Sequence, residues 1–382
     1  MKKVIALILA LAMLLGMCSF ASAEAGKGTI MWLSNLSSGI QYETTRDYLT
    51  LLCGELGYDF TIVYGDGYND PAGNLTAVSN GMTSDVVAII ASQDGGLKSI
   101  MDTYPELYVA GYNSDMTSVY NEGGANEAVK GYDHFLGTIC DGFADGSLMG
   151  EQYFNVMLEK GYKKVSVVNF PGYAFPNQAA AVTAFMAKVE EYNATASEPI
   201  TVVGEPLTLE FSPLPDSYFL EDGMDDLDAI VSFCAGISFV YPTMVTAKLN
   251  GFCAERTQMI TGGFDNNADI VADVGDNKTI GWLCISPSED PAYALILIDN
   301  ALNGTPYADF VSMRLDSASY IIDSDADIEA AMTKGMVGSG DATLAQVTPE
   351  QVKNLCVRFN PDATFAQLQE TFLSVSVDQL LN

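Results

Sequence analysis

Short apolar segments alternate with helical segments along the chain, and this alternation constrains the fold more than any other feature of the sequence. In the first third of the chain, the apolar segments lie at residues 29–33, 60–64, 85–90 and 107–110. Segment 85–90 is apolar at nearly every position, which is typical of a strand buried on both faces. Helical segments connect these strands. The pattern therefore predicts a parallel sheet with helices on both of its faces.

The alternation stops at a polar, glycine-rich segment, residues 113–131, and then begins again. Further strands are predicted at residues 164–169, 228–233 and 258–261. After this second unit, a strand at 279–285 and a helix at 291–302 stand alone, and we expect them to return the chain to the first unit. The predicted fold class is α/β, with two doubly wound parallel-sheet lobes.

The N-terminus has the pattern of a secretory signal peptide. Two lysines at residues 2–3 precede an apolar run at residues 4–17, and small residues occupy positions 21–23 in the A-x-A arrangement. Cleavage is expected before Glu24, which removes residues 1–23 from the mature protein. We therefore expect an exported protein, located in the periplasm, outside the cell or at the cell surface.

Two other interpretations of the N-terminal segment remain open. A transmembrane anchor would need about 20 apolar residues, which is more than the run contains. A lipoprotein signal would end at Cys18, but Met17 is not the small residue that usually precedes a lipidated cysteine. Lipidation of Cys18 would leave the exported protein associated with the membrane.

The balance of charged residues excludes two classes of partner. The chain carries 49 acidic and 17 basic residues, for a formal net charge of −32. Nucleic acids and anionic lipids require a basic surface, so neither is an expected partner. The charge does not indicate disorder, because 48% of the residues are hydrophobic.

Six cysteines follow the predicted signal peptide, and none belongs to a C-x-x-C motif. They are Cys53, Cys140, Cys234, Cys253, Cys284 and Cys356. Their spacing does not fit a metal site. An exported chain could pair them in disulfides, but most lie in apolar segments, which favours buried free thiols.

The sequence offers no recognisable catalytic centre. His134 is the only histidine, and no G-x-S-x-G motif or dinucleotide-binding motif occurs. Residues 323–327 imitate the start of a calcium loop, but the glycine at its sixth position and the glutamate at its twelfth are missing. We interpret 323–327 as a solvated acidic turn, and we expect no enzymatic activity, metal or cofactor.

Four short motifs carry a resemblance to a known family. They are D-x4-G-x3-G at residues 141–150, G-Y-K-K-V at 161–165, D-A-I at 228–230 and G-F-D at 263–265. With these motifs, in this order and spacing, the chain resembles the type I periplasmic-binding-protein superfamily, especially its sugar-binding ABC-transporter branch.

The resemblance implies two lobes joined by a three-crossover hinge, with the ligand between them. The N-terminal lobe is expected to comprise residues 27–114 plus 285–310. The C-terminal lobe is expected to comprise residues 118–283 plus 311–382, including a helical tail longer than simple sugar binders need. Closure over the ligand is then a hinge motion.

The resemblance also implies a function. The expected protein is a monomeric extracytoplasmic solute-binding protein that delivers a small polar ligand, a sugar or polyol, to the membrane permease of an ABC importer. A nucleoside, an amino acid or an autoinducer remains an alternative ligand. A ligand-sensing module that serves a receptor is an alternative to the transport role.

Candidate ligand-binding residues follow the predicted strands, because ligands bind beyond the carboxyl ends of the strands in parallel sheets. Polar side chains among them would pair with the hydroxyl groups of a sugar, and aromatic rings would cover its apolar face. The candidates are Ser34, Asn35, Tyr42, Tyr112, Asn113, Asp115, Tyr173, Phe175, Asn177, Asp265, Asn266 and Ser286. A helix cap or a turn is the alternative role for each polar candidate. Asp265 and Asn113 are expected to share one ligand across a single cleft.

The chain departs from the sugar-binder pattern in the loop after strand 164–169. Residues 171–184 contain neither arginine nor lysine, where family members often have an arginine. The aspartate–arginine pair that family members carry after the fourth strand is also replaced, by residues 113–115. Both differences weaken the expectation of a standard pyranose. They also argue against a phosphorylated or strongly acidic ligand, which would favour a bidentate arginine.

Overall fold

A computed structural model describes residues 27–65, 70–114, 116, 132–140, 146–173 and 175–382. The predicted signal peptide, the candidate Asp115 and the motif residue Asp141 lie outside the described residues. Two mainly parallel sheets organise the described chain. Among the described residues, no helix is long and apolar enough to cross a membrane.

The first sheet has six parallel strands in the order β12-β5-β4-β3-β1-β2. Their bounds are β1 Thr29–Ser34, β2 Asp59–Tyr64, β3 Val86–Ala91, β4 Tyr108–Tyr112, β5 Phe135–Cys140 and β12 Met313–Asp316. The first four strands match the predicted segments. Strand β5 was not predicted, although all six of its residues are buried.

Helices cover both faces of the first sheet. They are α1 Ile40–Leu56, α2 Pro71–Gly81, α3 Leu97–Thr103 and, from later in the chain, α9 Asp290–Leu302. Helix α1 buries Tyr48 and Leu52 against the sheet and ends at Gly57, which adopts a left-handed φ of 82°. The Asp70 side chain caps α2 by accepting a hydrogen bond from the Gly73 amide.

The second sheet has the order β13-β11-β10-β9-β6-β7, with β8 also paired to β6. Its strands are β6 Lys164–Asn169, β7 Thr201–Val202, β8 Leu207–Thr208, β9 Ala229–Ser232, β10 Gln258–Gly262, β11 Ile280–Ile285 and β13 Tyr320–Ile322. Only β13 is antiparallel to its neighbour. The helices of this unit are α4 Gly146–Glu159, α5 Pro176–Asn193, α6 Gly236–Phe239, α7 Tyr241–Leu249 and α8 Ala268–Val271.

Two of the sequence motifs have structural roles in the second unit. A Cβ atom at Gly150 would lie 2.3 Å from the carbonyl oxygen of Ala181, so glycine lets α4 and α5 pack closely. The carboxylate of Asp228 accepts hydrogen bonds of 2.9 Å from the backbone amides of Lys163 and Lys164. The D-A-I and G-Y-K-K-V motifs are therefore in contact.

The chain passes between the two sheets three times within the expected hinge. It leaves the first sheet after β5, returns between β11 and α9, and crosses again between β12 and β13. Strand β11 belongs to the second sheet, whereas helix α9 packs against β4 and β5, so the chain returns to the first unit between these two elements. The expected lobe boundary at residue 118 is wrong for β5, which pairs with β4 in the first sheet.

The C-terminal tail, residues 325–382, also differs from the expectation. Its helices are α10 Asp325–Lys334, α11 Met336–Ser339, α12 Pro349–Leu355, α13 Phe365–Ser374 and α14 Val377–Leu381. We expected residues 311–382 in the C-terminal lobe, but β12 pairs in the first sheet and α12 and α13 pack on α9. These contacts bury α9 from Asp290 to Asn300, which explains why that helix is apolar almost all round.

The six cysteines that follow the predicted signal peptide are buried free thiols, as their apolar surroundings predicted. Burial raises the pKa of the Cys53 thiol to about 12 and that of Cys234 to about 11. These thiols are therefore protonated and poorly reactive at neutral pH.

Candidate ligand site at the carboxyl edges of the sheets

The end of β1 is held by a set of local hydrogen bonds. The Ser34 hydroxyl is fully buried and donates to the carbonyl oxygen of Leu36 at 2.7 Å. The backbone amide of Asn35 donates to Ser92 Oγ at 3.1 Å, and the Ser92 hydroxyl donates to the side-chain oxygen Oδ1 of Asn35 at 3.0 Å. Ser34 therefore shapes the turn, whereas half-buried Asn35 lies at the sheet edge where a ligand is expected.

An aromatic group lies at the same edge of the first sheet, formed by Trp32, Tyr42 and Tyr64. Tyr42 stacks on Trp32 with ring centroids 5.5 Å apart, and the Tyr64 ring centroid lies 5.9 Å from that of Tyr42 in a tilted arrangement. The two phenols form a hydrogen bond, which raises the pKa of Tyr64. Tyr64 is 45% exposed, so this group presents an aromatic surface to solvent.

Tyr64 and Trp32 were not among the predicted site residues. Tyr64 is the last residue of β2 and pairs in register with Ser34. The strand-end rule that selects Ser34 and Tyr112 therefore also selects Tyr64. Trp32 carried no such signal, because it lies inside β1 and is buried.

Asn113 and Ser286 join the edges of the two sheets. Asn113 follows β4 of the first sheet, and Ser286 follows β11 of the second. The Ser286 hydroxyl donates a hydrogen bond of 2.8 Å to Asn113 Oδ1. Asn113 has a left-handed φ of 53°, which an asparagine tolerates better than most residues do. Its neighbour Tyr112 is buried at the end of β4.

A second aromatic group follows β6 in the second sheet and is formed by Phe170, Phe175, Phe211 and Phe239. The Phe170 ring centroid lies 5.4 Å from those of Phe175 and Phe211 and 4.9 Å from that of Phe239. Phe170 is buried, whereas Phe211 is 48% exposed. Only Phe175 of this group had been predicted.

The other predicted residues of this loop have different positions. Tyr173 is 74% exposed, and its hydroxyl donates to Glu210 Oε2 at 3.2 Å. Asn177 lies in the first turn of α5, where its backbone carbonyl faces Gly146 of α4 across the close helix contact. Tyr173 is accessible at the sheet edge, and the backbone of Asn177 contributes to helix packing.

Asp265 and Asn266 are exposed after β10. Asp265 Oδ1 accepts a hydrogen bond of 2.8 Å from the Asn267 amide, and Asn267 in turn caps α8. The turn-capping role that was the alternative for Asp265 is therefore present. A shared ligand between Asp265 and Asn113 stays a prediction.

The chemistry of the two edges is mainly neutral. Most edge residues offer amides, hydroxyls and aromatic rings. The ionic groups there are the carboxylates of Asp265 and Glu210 and the guanidinium of Arg46, which lies 5.6 Å from the Tyr42 ring centroid. Among the described residues, no cluster of His, Cys, Asp or Glu could hold a metal ion. In the acidic segment 323–327, Ser324 and Asp327 form the capping box that begins α10.

Solved structures of other proteins have the same overall arrangement of two sheets. A glucose–galactose binding protein from Geobacillus stearothermophilus matches 78% of this chain and 97% of its own, at 12% identity and a TM-score of 0.57. A solute-binding protein of an ABC transporter from Agrobacterium vitis, bound to tagatopyranose, matches 82% of this chain and 98% of its own, at 14% identity and a TM-score of 0.58.

The chain has the fold of the type I periplasmic-binding proteins. A transcriptional regulator of the LacI family from Burkholderia phymatum shares this periplasmic-binding-protein fold, at 14% identity and a TM-score of 0.53, over 78% of this chain and 99% of its own. No protein-family profile matches the sequence, and no curated protein matches it. At these identities the likeness establishes the fold, and the function is argued from the site.

Proposed function

We propose that this chain is an exported solute-binding protein that binds a sugar or polyol between the two sheet edges and delivers it to the permease of an ABC importer. The observation that carries the proposal is the aromatic group at the carboxyl edge of each sheet, with Asn113 and Ser286 bonded between the edges. Aromatic rings pack on the apolar face of a sugar, and amides and hydroxyls pair with its hydroxyl groups.

The neutral chemistry of the edges supports an uncharged ligand. The loop from residue 171 to 184 carries no basic side chain that would balance a phosphate or carboxylate. Two proteins of the same fold are a glucose–galactose binding protein and a solute-binding protein with bound tagatopyranose. A solute-binding protein that serves a permease is exported, and the signal-peptide pattern at residues 1–23 agrees with that location.

A ligand-responsive regulator is the second candidate, because a LacI-family regulator shares the fold. Binding of DNA depends on basic residues that replace counterions along the phosphates. The net charge of −32 opposes that role, so we place transport first.

The proposal is tested by a ligand screen on the mature chain, residues 24–382. Melting temperature is measured with pentoses, hexoses, polyols, nucleosides and amino acids, and each hit is confirmed by calorimetry. A bound ligand at 100 times its Kd should stabilise the protein by about 2.7 kcal/mol. Binding of a sugar or polyol is the expected result. Binding of nucleosides or amino acids alone would contradict it, and conversion of the ligand would indicate an enzyme.

A separate experiment tests export. Secreted protein should begin at Glu24 when its N-terminus is sequenced. A lipid-modified Cys18 as the first residue would show that the chain is anchored as a lipoprotein.

A further inference from the structure

The C-terminal tail contacts both sheet units beside the hinge. Helices α11 and α12 pack on α1 of the first unit, and α10 and α14 pack on β13 of the second sheet. Just before the tail, the Lys160 ammonium lies 3.3 Å from the carboxylate of Asp323, which also ties this segment to α4. A relative motion of the two sheets must therefore displace the tail from one of them or bend it.

A buried carboxylate connects the tail to the hinge. Glu289 follows β11 in the second crossover and is fully buried. Its Oε2 atom accepts a hydrogen bond of 3.0 Å from the Tyr320 hydroxyl, and its Oε1 atom accepts one of 3.0 Å from the backbone amide of Gln346. Tyr320 begins β13, and Gln346 belongs to the tail, so one carboxylate joins three separate segments.

The Gln346 side chain completes this connection. Its Nε2 atom donates to the Tyr320 hydroxyl at 2.8 Å and to the backbone carbonyl of Ser376 at 2.8 Å. The Ser376 amide donates back to Gln346 Oε1 at 3.3 Å. One glutamine thus holds two parts of the tail, around α12 and α14, against the edge strand of the second sheet.

The same crossover carries a residue of the ligand site. Ser286, three positions before Glu289, donates to Asn113 at the edge of the first sheet. The residue after Glu289 is Asp290, whose Oδ2 atom accepts a hydrogen bond of 3.1 Å from Ser317 in the third crossover. The backbone of residues 286–290 therefore connects the contact of Ser286 with Asn113 to the contacts of Glu289 with the tail and of Asp290 with the third crossover.

The burial of Glu289 favours one arrangement of these contacts over others. A desolvated carboxylate is costly unless donors satisfy its oxygens, so the geometry that keeps both donors on Glu289 is strongly favoured. Burial also raises the pKa of Glu289. Displacement of the tail would remove one of its two donors and expose the network to water.

We propose that Glu289 and Gln346 are positioning residues of the ligand site, through which the tail fixes the orientation of the two sheet edges. The proposal rests on the proposed function for the identity of the ligand, but the orientation of the sheets can be measured without one. If a smaller fraction of the molecules adopts the orientation that can bind ligand, the apparent affinity falls in proportion to that fraction.

The test measures the distance between the two units in the ligand-free protein. Spin labels are placed at Lys98→Cys in α3 and Leu249→Cys in α7, two exposed positions, because the six native thiols are buried. The distance distribution is recorded by pulsed electron resonance for the labelled parent, for Gln346→Ala and for Gln351→Ala. Gln351 is the matched control, because it lies in the same tail but only caps α12.

We expect Gln346→Ala to shift or broaden the distance distribution and Gln351→Ala to leave it unchanged. Unchanged distributions in both variants would overturn the proposal. Equal changes in both would also overturn it, because they would reflect general loosening of the tail.

Ligand affinity provides the second measurement. With a sugar found in the screen, Gln346→Ala should weaken binding by about two- to tenfold, the effect of one or two hydrogen bonds. Glu289→Gln keeps an acceptor for the Gln346 amide and should weaken binding less than Glu289→Ala. Equal affinities in all variants would overturn the positioning role. If the parent protein binds no sugar, the proposed function fails and the distance measurement alone decides the role of the tail.

Discussion

The hydroxyl of Ser286 donates a hydrogen bond of 2.8 Å to Oδ1 of Asn113, and this bond joins the end of β11 in the second sheet to the end of β4 in the first. Both residues had been selected from the sequence as strand-end candidates, but nothing in the sequence paired them. Their contact places two predicted ligand residues beside the hinge. They are therefore positioned to respond to both ligand binding and closure.

Asn113 allows its amide and its backbone to be tested separately. Asn113→Gly removes the amide but keeps the left-handed φ of 53° available, whereas Asn113→Ala removes the amide and strains the backbone by about 1–2 kcal/mol. Both variants should lose ligand affinity, but only Asn113→Ala should also lose melting temperature. Calorimetric titration and thermal unfolding check this. Full affinity in Asn113→Gly would exclude the amide from the site.

Asp265 is predicted to contact ligand in addition to capping its own turn. Asp265→Asn keeps an oxygen that can accept from the Asn267 amide, so stability should change little, while the loss of the charged acceptor should weaken sugar binding by about tenfold. Asp265→Ala should lose stability as well. An affinity for sugar that is unaltered in both variants would leave Asp265 with the capping role only.

The aromatic group of the first sheet predicts an optical signal. Trp32 stacks on Tyr42 next to exposed Tyr64, whereas the second tryptophan, Trp282, is buried in the second sheet. A sugar that packs on Tyr64 should change the fluorescence of Trp32, and Trp32→Phe should abolish that change. Tyr64→Ala should weaken binding about three- to tenfold and Tyr64→Phe much less, because stacking depends on the ring. Equal affinities of these two variants would contradict stacking.

Because Glu289 is buried, we expect its contribution to the free energy of unfolding to decrease as the pH rises. Burial raises its pKa above 4.5, so the folded state holds the proton more tightly than the unfolded state does. The unfolded state then releases the proton first, and the free energy of unfolding falls from about pH 4.5 up to the raised pKa. Tyr48, Tyr320 and Asp290 are its titratable neighbours, and burial raises the pKa of both tyrosines above 10, so these stay neutral in this range.

The measurement is the difference in unfolding free energy between the parent protein and Glu289→Gln. It is made from about pH 4 to about pH 8, because this range begins near the pKa of an ordinary carboxyl group and extends above it. The parent should lose stability relative to the variant as the pH rises. A constant difference would show that Glu289 keeps one protonation state throughout.

The strands of the first sheet could be predicted because buried parallel strands are apolar throughout. Strand β5 escaped prediction for two physical reasons. It follows a long polar segment, and it contains Gly137, whose φ of 113° lets the backbone approach Met313 of β12. That close approach depends on a partner strand far along the chain, so no local pattern reveals it.

The residues of the candidate site could be predicted from the sequence only where they lie at the end of a strand or directly after it. Asn113 and Ser286 follow from that rule, and so would Tyr64. Phe211 and Phe239 do not, because they reach the Phe170 ring from distant parts of the chain, the segment after β8 and the end of α6. The location of the tail was likewise hidden, since its contacts with the first unit are long-range. The most informative of these contacts is an ion pair between residues 59 positions apart, Asp299 and Arg358.

We expect the ion pair between Asp299 and Arg358 to anchor the tail to the first unit. The Asp299 side chain is fully buried in α9 and accepts from the Arg358 guanidinium at 2.8–3.0 Å and from the Tyr58 hydroxyl at 3.0 Å. Arg358 also donates to the carbonyl oxygen of Leu56 at the end of α1. Arg358→Met should therefore destabilise the protein by about 3–5 kcal/mol, because it leaves a buried carboxylate without its cation.

The double variant with Asp299→Asn separates this charge effect from loss of packing. Removing both charges should restore much of the stability lost in Arg358→Met, since no unpaired charge then remains in the interior. Arg256→Met is the matched control, because Arg256 pairs with Asp226 at the exposed surface, where an ion pair contributes about 0–1 kcal/mol. Denaturant unfolding of the four proteins measures these differences. If Arg358→Met costs no more than Arg256→Met, the tail is not anchored through this pair, and its hold on the first unit must come from the apolar contacts of α12 and α13 with α9.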